Sequence, residues 1–292
     1  MVPFRILSAV LAGVGRATWV VHTLRARARE RLSTRRRAPA YSGDVHITLL
    51  SDPAVPGANE DAGGVLGEVA VMLDGAGLPQ RFRAGCRHSV AWYSHSLAAH
   101  LLTRAQDPAT ELGAALAGAI ADVRELHEQE CDLAAGSPSA TVVTVRRVGE
   151  HLEHLVLSDS SLLLRGRDGE VVRVTDLRID EVVATERTAE AIEARRNVPG
   201  GFWVARHEEE AAEQALVGRT PLAMLASAHL VSDGITRAID LLGRHDEASL
   251  VQALTVDPVE VIAELRAGER ALPPQARPRK LHDDATVLTL LP

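Results

Sequence analysis

At 292 residues and 46% hydrophobic content, the chain is long enough to bury a sizeable core, as one large domain or two small ones. Aromatic residues supply only 3%, so that core must be built from Leu, Val and Ala. Charge argues against a nucleic-acid binder. Nine arginines and a single acid, Glu30, fall within positions 1–37, which leaves 23 basic and 38 acidic residues, a balance of −15, on 38–292. So acidic a body suits divalent cations. Two cysteines, Cys86 and Cys131, give neither a disulfide framework nor a metal-ligand spacing, and read as inert thiols in a reducing, cytoplasmic setting.

In chain order, the apolar run Ile6 to Gly15 is too short to span a bilayer, and extending it to Leu24 places Arg16 near its centre. No small-residue cleavage signal follows it. Residues 1–40 are therefore expected to be a basic extension, disordered or a short amphipathic helix able to touch anionic lipid, with the folded part spanning 41–292. Val45 to Leu50 reads as a strand, the Pro- and Gly-containing stretch Ser51 to Ala58 as a loop, and Glu68 to Leu73 as a short apolar strand. Arg83 to Arg104 and Pro108 to Glu130 carry apolar residues at helical spacing. The period then changes: Ala140 to Val148, His151 to Ser158, Ser161 to Arg165 and Val171 to Val174 read as antiparallel strands. Thr188 to Arg196 and His207 to Leu216 look helical, Leu222 to Val231 is a strand, a helix opens at Asp233-Gly234, Pro258 to Glu269 is another, and Thr286 to Leu291 closes the chain as a strand. Helices lie between groups of strands rather than alternating with each one, which is α+β and layered.

Four acidic motifs punctuate these elements: Asn59-Glu60-Asp61, Asp74-Gly75, Ser232-Asp233-Gly234 and Asp283-Asp284. Each places a carboxylate at a strand end. Carboxylates gathered at neighbouring strand ends repel one another and resist desolvation, an arrangement a fold usually accepts when cations fill the gap. Oxygen ligands alone favour Mg²⁺ or Mn²⁺. Two such cations lower the pKa of a bridging water and neutralise phosphoryl oxygens during in-line attack, so no nucleophilic Cys or Ser is needed. Taken singly, Asp61 and Asp159 also read as turn residues, Glu208-Glu209-Glu210 as an acidic first helical turn, and His229 and His282 as packing or surface residues.

The order and surroundings of these motifs resemble the metal-dependent type 2C serine/threonine protein phosphatases of bacteria, from about residue 41 to the C-terminus. The family's Asn-Glu-Asp resembles Asn59-Glu60-Asp61, and its Asp-Gly strand end resembles Asp74-Gly75-Ala76-Gly77. Ser137-Pro138-Ser139-Ala140-Thr141 and Ser158-Asp159-Ser160-Ser161 are looser matches, while Ser232-Asp233-Gly234 and Asp283-Asp284-Ala285-Thr286 are close ones. The resemblance implies a four-layer α-β-β-α sandwich of two antiparallel sheets flanked by helices. It implies two divalent cations, Mn²⁺ or Mg²⁺, held by Glu60, Asp61, Asp74, the Gly75 carbonyl, Asp233 and Asp283, with Asp159 as an outer or third-metal ligand. Asp74, Asp233 and Asp283 would be catalytic through the metal-activated water, with Asp61 holding a metal-bound water.

The implied activity is hydrolysis of phosphoserine or phosphothreonine in phosphoprotein substrates by a metal-bridging hydroxide, a signalling role. Two departures bear on it. The family's phosphate-binding arginine, four residues before the first glutamate, is Pro56 here, with Arg81 and Arg83 as replacements. The histidine two residues after the bridging aspartate is Ala76. The alternative is a catalytically weak phosphatase-fold protein kept for regulation or scaffolding.

Overall fold

The computed structural model describes residues 45–76 and 79–292; the expectations for residues 1–40, and for Gly77, lie outside the described residues. Among the described residues, ten strands pair into two antiparallel sheets. One sheet joins β1 (His46–Asp52), β10 (Ala285–Leu291), β9 (Leu225–Val231), β6 (Ser161–Gly166) and β7 (Val171–Val174), in that order. The other joins β2 (Ala62–Leu66), β3 (Val69–Leu73), β4 (Val142–Val148), β5 (His151–Leu157) and β8 (Leu216–Pro221). Helices α1 (Val90–Arg104) and α2 (Leu112–Glu125) cover the second sheet. Helices α5 (Asp233–Asp240), α6 (Glu247–Val256) and α7 (Pro258–Ala271) cover the first. Two short helices, α3 (Arg178–Thr185) and α4 (Ala189–Glu193), lie in the long crossing from β7 to β8. This is the expected four-layer sandwich.

Three apolar layers hold it. Val143, Val156, Leu162, Leu230 and Leu288 meet between the sheets. Val71, Leu73, Leu97, Leu116 and Ile120 fill the space under α1 and α2. Leu163, Ile235, Leu250, Val251 and Val287 do the same under α5 to α7. Strands with both faces covered read as continuous apolar runs, and β3, VAVML, is buried at every position.

Helix α1 begins later than its periodicity suggests. Residues 80–83 form a separate short 3₁₀ turn, and Ser89 caps α1 by accepting a hydrogen bond from the Trp92 amide. The segment read as a helix over 207–216 is a 3₁₀ turn, Glu209–Gln214, running into edge strand β8. Strand β8 is mostly exposed and pairs on one side only, with β5, so it carries little apolar signal. Strand β2 is an element beyond those expected from the sequence, and its stretch, AGGVL, holds two glycines. A Cβ at Gly63 would stand 3.0 Å from Leu49 and one at Gly64 3.1 Å from Leu102, so close packing explains the weak strand signal.

The registers gather the acidic motifs at one end of the sandwich. Val231, the last residue of β9, pairs with Val287 near the start of β10, and Asp52 at the end of β1 pairs with Ala285. In the other sheet Ala62, opening β2, pairs with Leu73, closing β3. Ser161, opening β6, pairs with Val231. The residues just outside these paired ends are Asp61, Asp74, Asp159, Asp233 and Asp283.

Leu97 is fully buried between α1 and the second sheet. Leu97→Ala is expected to destabilise the fold by about 3 kcal/mol, measured by urea unfolding.

Candidate metal centre

Glycine and short polar side chains bring the acidic residues together. At Gly75 a Cβ would lie 2.6 Å from the Glu60 carbonyl oxygen and 2.5 Å from Val90, so only glycine lets β3 pass this close to the first acidic turn. At Gly234 it would lie 1.9 Å from the Asp284 carbonyl oxygen, so α5 can start against the β10 entry only with glycine there. The Thr141 amide donates to the Asp74 carbonyl at 2.8 Å, and the Asp74 amide donates to the Thr141 hydroxyl at 3.2 Å. The Thr286 amide donates to the Ser232 hydroxyl at 2.9 Å, stitching the ends of β9 and β10.

The Asn59-Glu60-Asp61 turn is held from three sides. The Asn59 amide group donates to Ser51 at 2.7 Å, and its carbonyl accepts from the Asp61 amide at 3.0 Å. Ser94 on α1 donates to the Glu60 carbonyl at 2.6 Å. Asp284 accepts from the amides of Ala54 and Glu60 at 2.7 and 2.6 Å. The second aspartate of the terminal motif is thus a brace for the first motif, a role that Asp283-Asp284 as a string of letters does not reveal.

Asp74, Gly75, Asp159, Asp233 and Asp283 line a cleft of ≈ 360 Å³, together with Thr141, Arg196, Arg237 and Lys280. Burial first, then the Asp61, Asp233, Asp159 and Asp283 carboxylates, raise Asp74 well above the ordinary carboxylate range. Burial also pushes Asp61 up to about 7, with Asp284 and Asp233 adding to it, and Asp159 up to about 7, with Asp233 adding. Asp233 is raised by burial and by Asp283, and Glu60 chiefly by burial. Both Asp61 carboxylate oxygens are buried; Thr286 and Asp74 stand close enough to lower its pKa but make no well-formed hydrogen bond to it. Buried, mutually repelling and partly orphaned oxygens form a donor set fitted to hard divalent cations.

Asp283 differs from its neighbours. Arg237 donates to one of its oxygens at 2.7 Å, and Lys280, the chain's one lysine, donates to the other at 3.3 Å. Arg237 in turn binds Glu269, a fully buried carboxylate that also receives Arg266 at 3.1 Å and His282 at 2.6 Å. His282 therefore serves this buried hub, and His229 is a core residue between Ser227 and Thr289, as expected of both.

The two replacement arginines part company. Arg81 is drawn away to an exposed ion pair with Glu190 at 2.9 Å. Arg83 has a buried Nε without a hydrogen-bond partner and lowers the Glu60 carboxyl by its charge, so it stands within electrostatic reach of the acidic turn. Arg196 went unnoticed in the sequence. It reaches the cleft from the β7–β8 crossing, paired with Glu193 at 2.8 Å and packed on Phe202. Cys86 and Cys131, expected to lack a metal-ligand spacing, are brought by the fold beside His88 and His127. The Cys-x-His and His-x₃-Cys spacings were the available signal, and only the docking of the β3–α1 loop on the end of α2 joins them.

The sequence pattern of the family described as Protein phosphatase 2C matches residues 57–260. No curated protein matches the chain. Among solved structures, the serine/threonine phosphatase PstP/Ppp of Mycobacterium tuberculosis superposes with a TM-score of 0.56 at 20% identity, over 85% of this chain and 98% of that one. The catalytic domain of a serine/threonine protein phosphatase PstP in complex with two manganese ions gives 0.54 at 19%, over 85% and 97%. Stp1 of Staphylococcus aureus gives 0.55 at 13%, over 89% and 99%. At such identities the likeness speaks for the fold.

Raised carboxyl pKa values set a sign for stability. An Asp protonated more readily in the fold than in the unfolded chain stabilises at low pH, and that contribution is lost as pH rises from the ordinary value of 3.8 through about 7. The cation-free protein is expected to lose thermal stability across that window. Asp61→Asn should flatten the decline and raise the cation-free melting temperature, read by scanning calorimetry in chelator.

Proposed function

The chain belongs to the protein phosphatase 2C family, and we propose that it is a metal-dependent phosphatase acting on phosphoserine or phosphothreonine in proteins. The observation that carries this reading is the set of five carboxylates at one end of the sandwich, with both oxygens of Asp61 buried and without a well-formed hydrogen bond. Glu60, Asp61, Asp74, Asp233, Asp283 and the Gly75 carbonyl would hold two divalent cations, Mn²⁺ or Mg²⁺, with Asp159 as a further ligand. When bound, such cations acidify a coordinated water and offset the charge of the phosphoryl oxygens.

The chain's own residues account for the rest. Asp74 is fixed through its backbone by Thr141, whose hydroxyl is in turn 2.6 Å from Ser160, so the carboxylate need not be ordered at the moment of reaction. Arg237 and Lys280 hold Asp283 in place, and the Asp284 brace fixes Glu60 and Asp61 relative to β10. Arg83, with an unused buried donor, is assigned to the substrate phosphate in place of the arginine missing at Pro56. Ala76 cannot donate a proton, so the leaving alkoxide takes its proton from water. An acidic body repels an acidic phosphopeptide, and recognition of the peptide around the phosphate falls to the exposed, cleft-lining Arg279. Residues 1–40 are assigned to a basic extension outside the phosphatase domain. No helix among the described residues is long and apolar enough to cross a membrane.

Two outcomes test this reading. Mn²⁺- or Mg²⁺-dependent hydrolysis of an aryl phosphate and of a phosphothreonine peptide is expected from the full chain, with Asp74→Asn and Asp233→Asn each lowering kcat by on the order of 10²-fold or more. Cation binding without turnover on any phosphopeptide would instead favour a regulatory or scaffolding role. Arg83→Ala is expected to reduce kcat/KM by about 10- to 100-fold, the worth of one charged hydrogen bond to phosphate, while Arg81→Ala leaves it within about twofold.

A further inference from the structure

Away from the acidic cleft, the segment from the 3₁₀ turn Gln80–Arg83 to the start of α1 is docked on the segment that follows α2. The docking is close. The Asp132 amide donates to the Gly85 carbonyl at 2.8 Å, a Cβ at Gly85 would stand 1.9 Å from the Asp132 carbonyl oxygen, and one at Gly136 would stand 2.3 Å from that of Phe82. Between the two segments lie Cys86 and His88 from one and His127 and Cys131 from the other. Their four donor atoms all fall within 4.8 Å of one another.

Four of the six spacings within the cluster approach those of a coordination shell. Cys86 Sγ lies 3.3 Å from Cys131 Sγ, 3.3 Å from His127 Nδ1 and 3.5 Å from His88 Nδ1, and Cys131 Sγ lies 3.6 Å from His88 Nδ1. A tetrahedral Zn²⁺, with bonds of about 2.3 Å to sulfur and about 2.0 Å to nitrogen, sets its ligand atoms roughly 3.3–3.8 Å apart. Cys86 and His127 are buried, while His88 and Cys131 are half-buried and open a path for entry. Trp92 closes the apolar side, stacked on His88 at 4.0 Å between ring centroids and 5.1 Å from His127. His127 turns its Nδ1 to the Cys86 thiol, on the side of the ring that faces the cluster, while its Nε2 is buried on the far side. Burial keeps His127 neutral, its pKa lowered to about 4, and a neutral imidazole is the form that ligates.

We propose that Cys86, His88, His127 and Cys131 form a structural Zn²⁺ site that clamps the β3–α1 loop to the end of α2. Two thiolates and two imidazoles select a softer ion than the oxygen-only cleft, so the two sites would not compete for Mg²⁺ or Mn²⁺. Binding replaces two S–H bonds by two Zn–S bonds and releases two protons to solvent, with no change of oxidation state. The clamp immobilises the loop that carries Arg83.

Co²⁺ titrated into the reduced, metal-free full chain, followed by absorption, tests this assignment. Thiolate-to-cobalt charge transfer and the strong visible bands of a tetrahedral ion are expected at one equivalent. Zn²⁺ should abolish them, and Asp74→Asn should retain them. Cys131→Ser is expected to lose about half of the charge-transfer intensity. Should that variant fold poorly, Zn²⁺ added to the unaltered protein is expected to slow the reaction of both thiols with an aromatic disulfide at least about tenfold, reversed by chelator. A cobalt spectrum without thiolate bands, or thiols equally reactive with and without Zn²⁺, would overturn the site. Neither readout depends on phosphatase activity.

Discussion

Repulsion among buried carboxylates is the constraint on which this structure turns. Antiparallel pairing places the exit of one strand beside the entry of the next, and in this chain those exits and entries carry Asp61, Asp74, Asp159, Asp233 and Asp283. Left alone, the charges would force the strand ends apart. They are kept together by backbone interactions that do not depend on charge: Thr141 on Asp74, Ser94 on Glu60, and Ser232 on Thr286. Gly75 and Gly234 remove the side chains that would otherwise prop the turns open. The acidic end is thus held in shape largely by uncharged residues.

A second layer of control sits behind Asp283. Glu269 is sealed from solvent and receives Arg237, Arg266 and His282, and Arg266 continues to Asp52 at the end of β1. A buried carboxylate so fully partnered is costly to disturb, because losing it leaves Arg237 and Arg266 each short of one of two carboxylate partners. Helix α7, strand β1 and the β10 entry are therefore tied to one another through charge as well as through the apolar layer formed by Leu50, Val261, Ile262 and Val287.

The order of the acidic motifs and the apolar runs between them made the layered fold and the carboxylate set legible from sequence, since strand ends and period changes are local signals. What escaped depended on distance in the chain. Asp284 braces Glu60 across 224 positions, and Arg237 and Lys280 close on Asp283 only after α5 and the β10 entry have packed. Strand β2 hid behind its glycines and β8 behind an exposed edge. The four soft ligands escaped for the same reason as Asp284: two short spacings, each weak alone, are separated by the whole length of α1 and α2.

The near-complete replacement of lysine by arginine gives Lys280 a distinction unrelated to its ion pair. Apart from the terminal α-amino group, it is the chain's sole primary amine, and it lines the cleft beside Asp283. A reagent that acylates amines can therefore mark this protein at a single side chain, with the label standing at the mouth of the acidic cleft. Arginine elsewhere on the surface, inert to such chemistry, leaves the background silent.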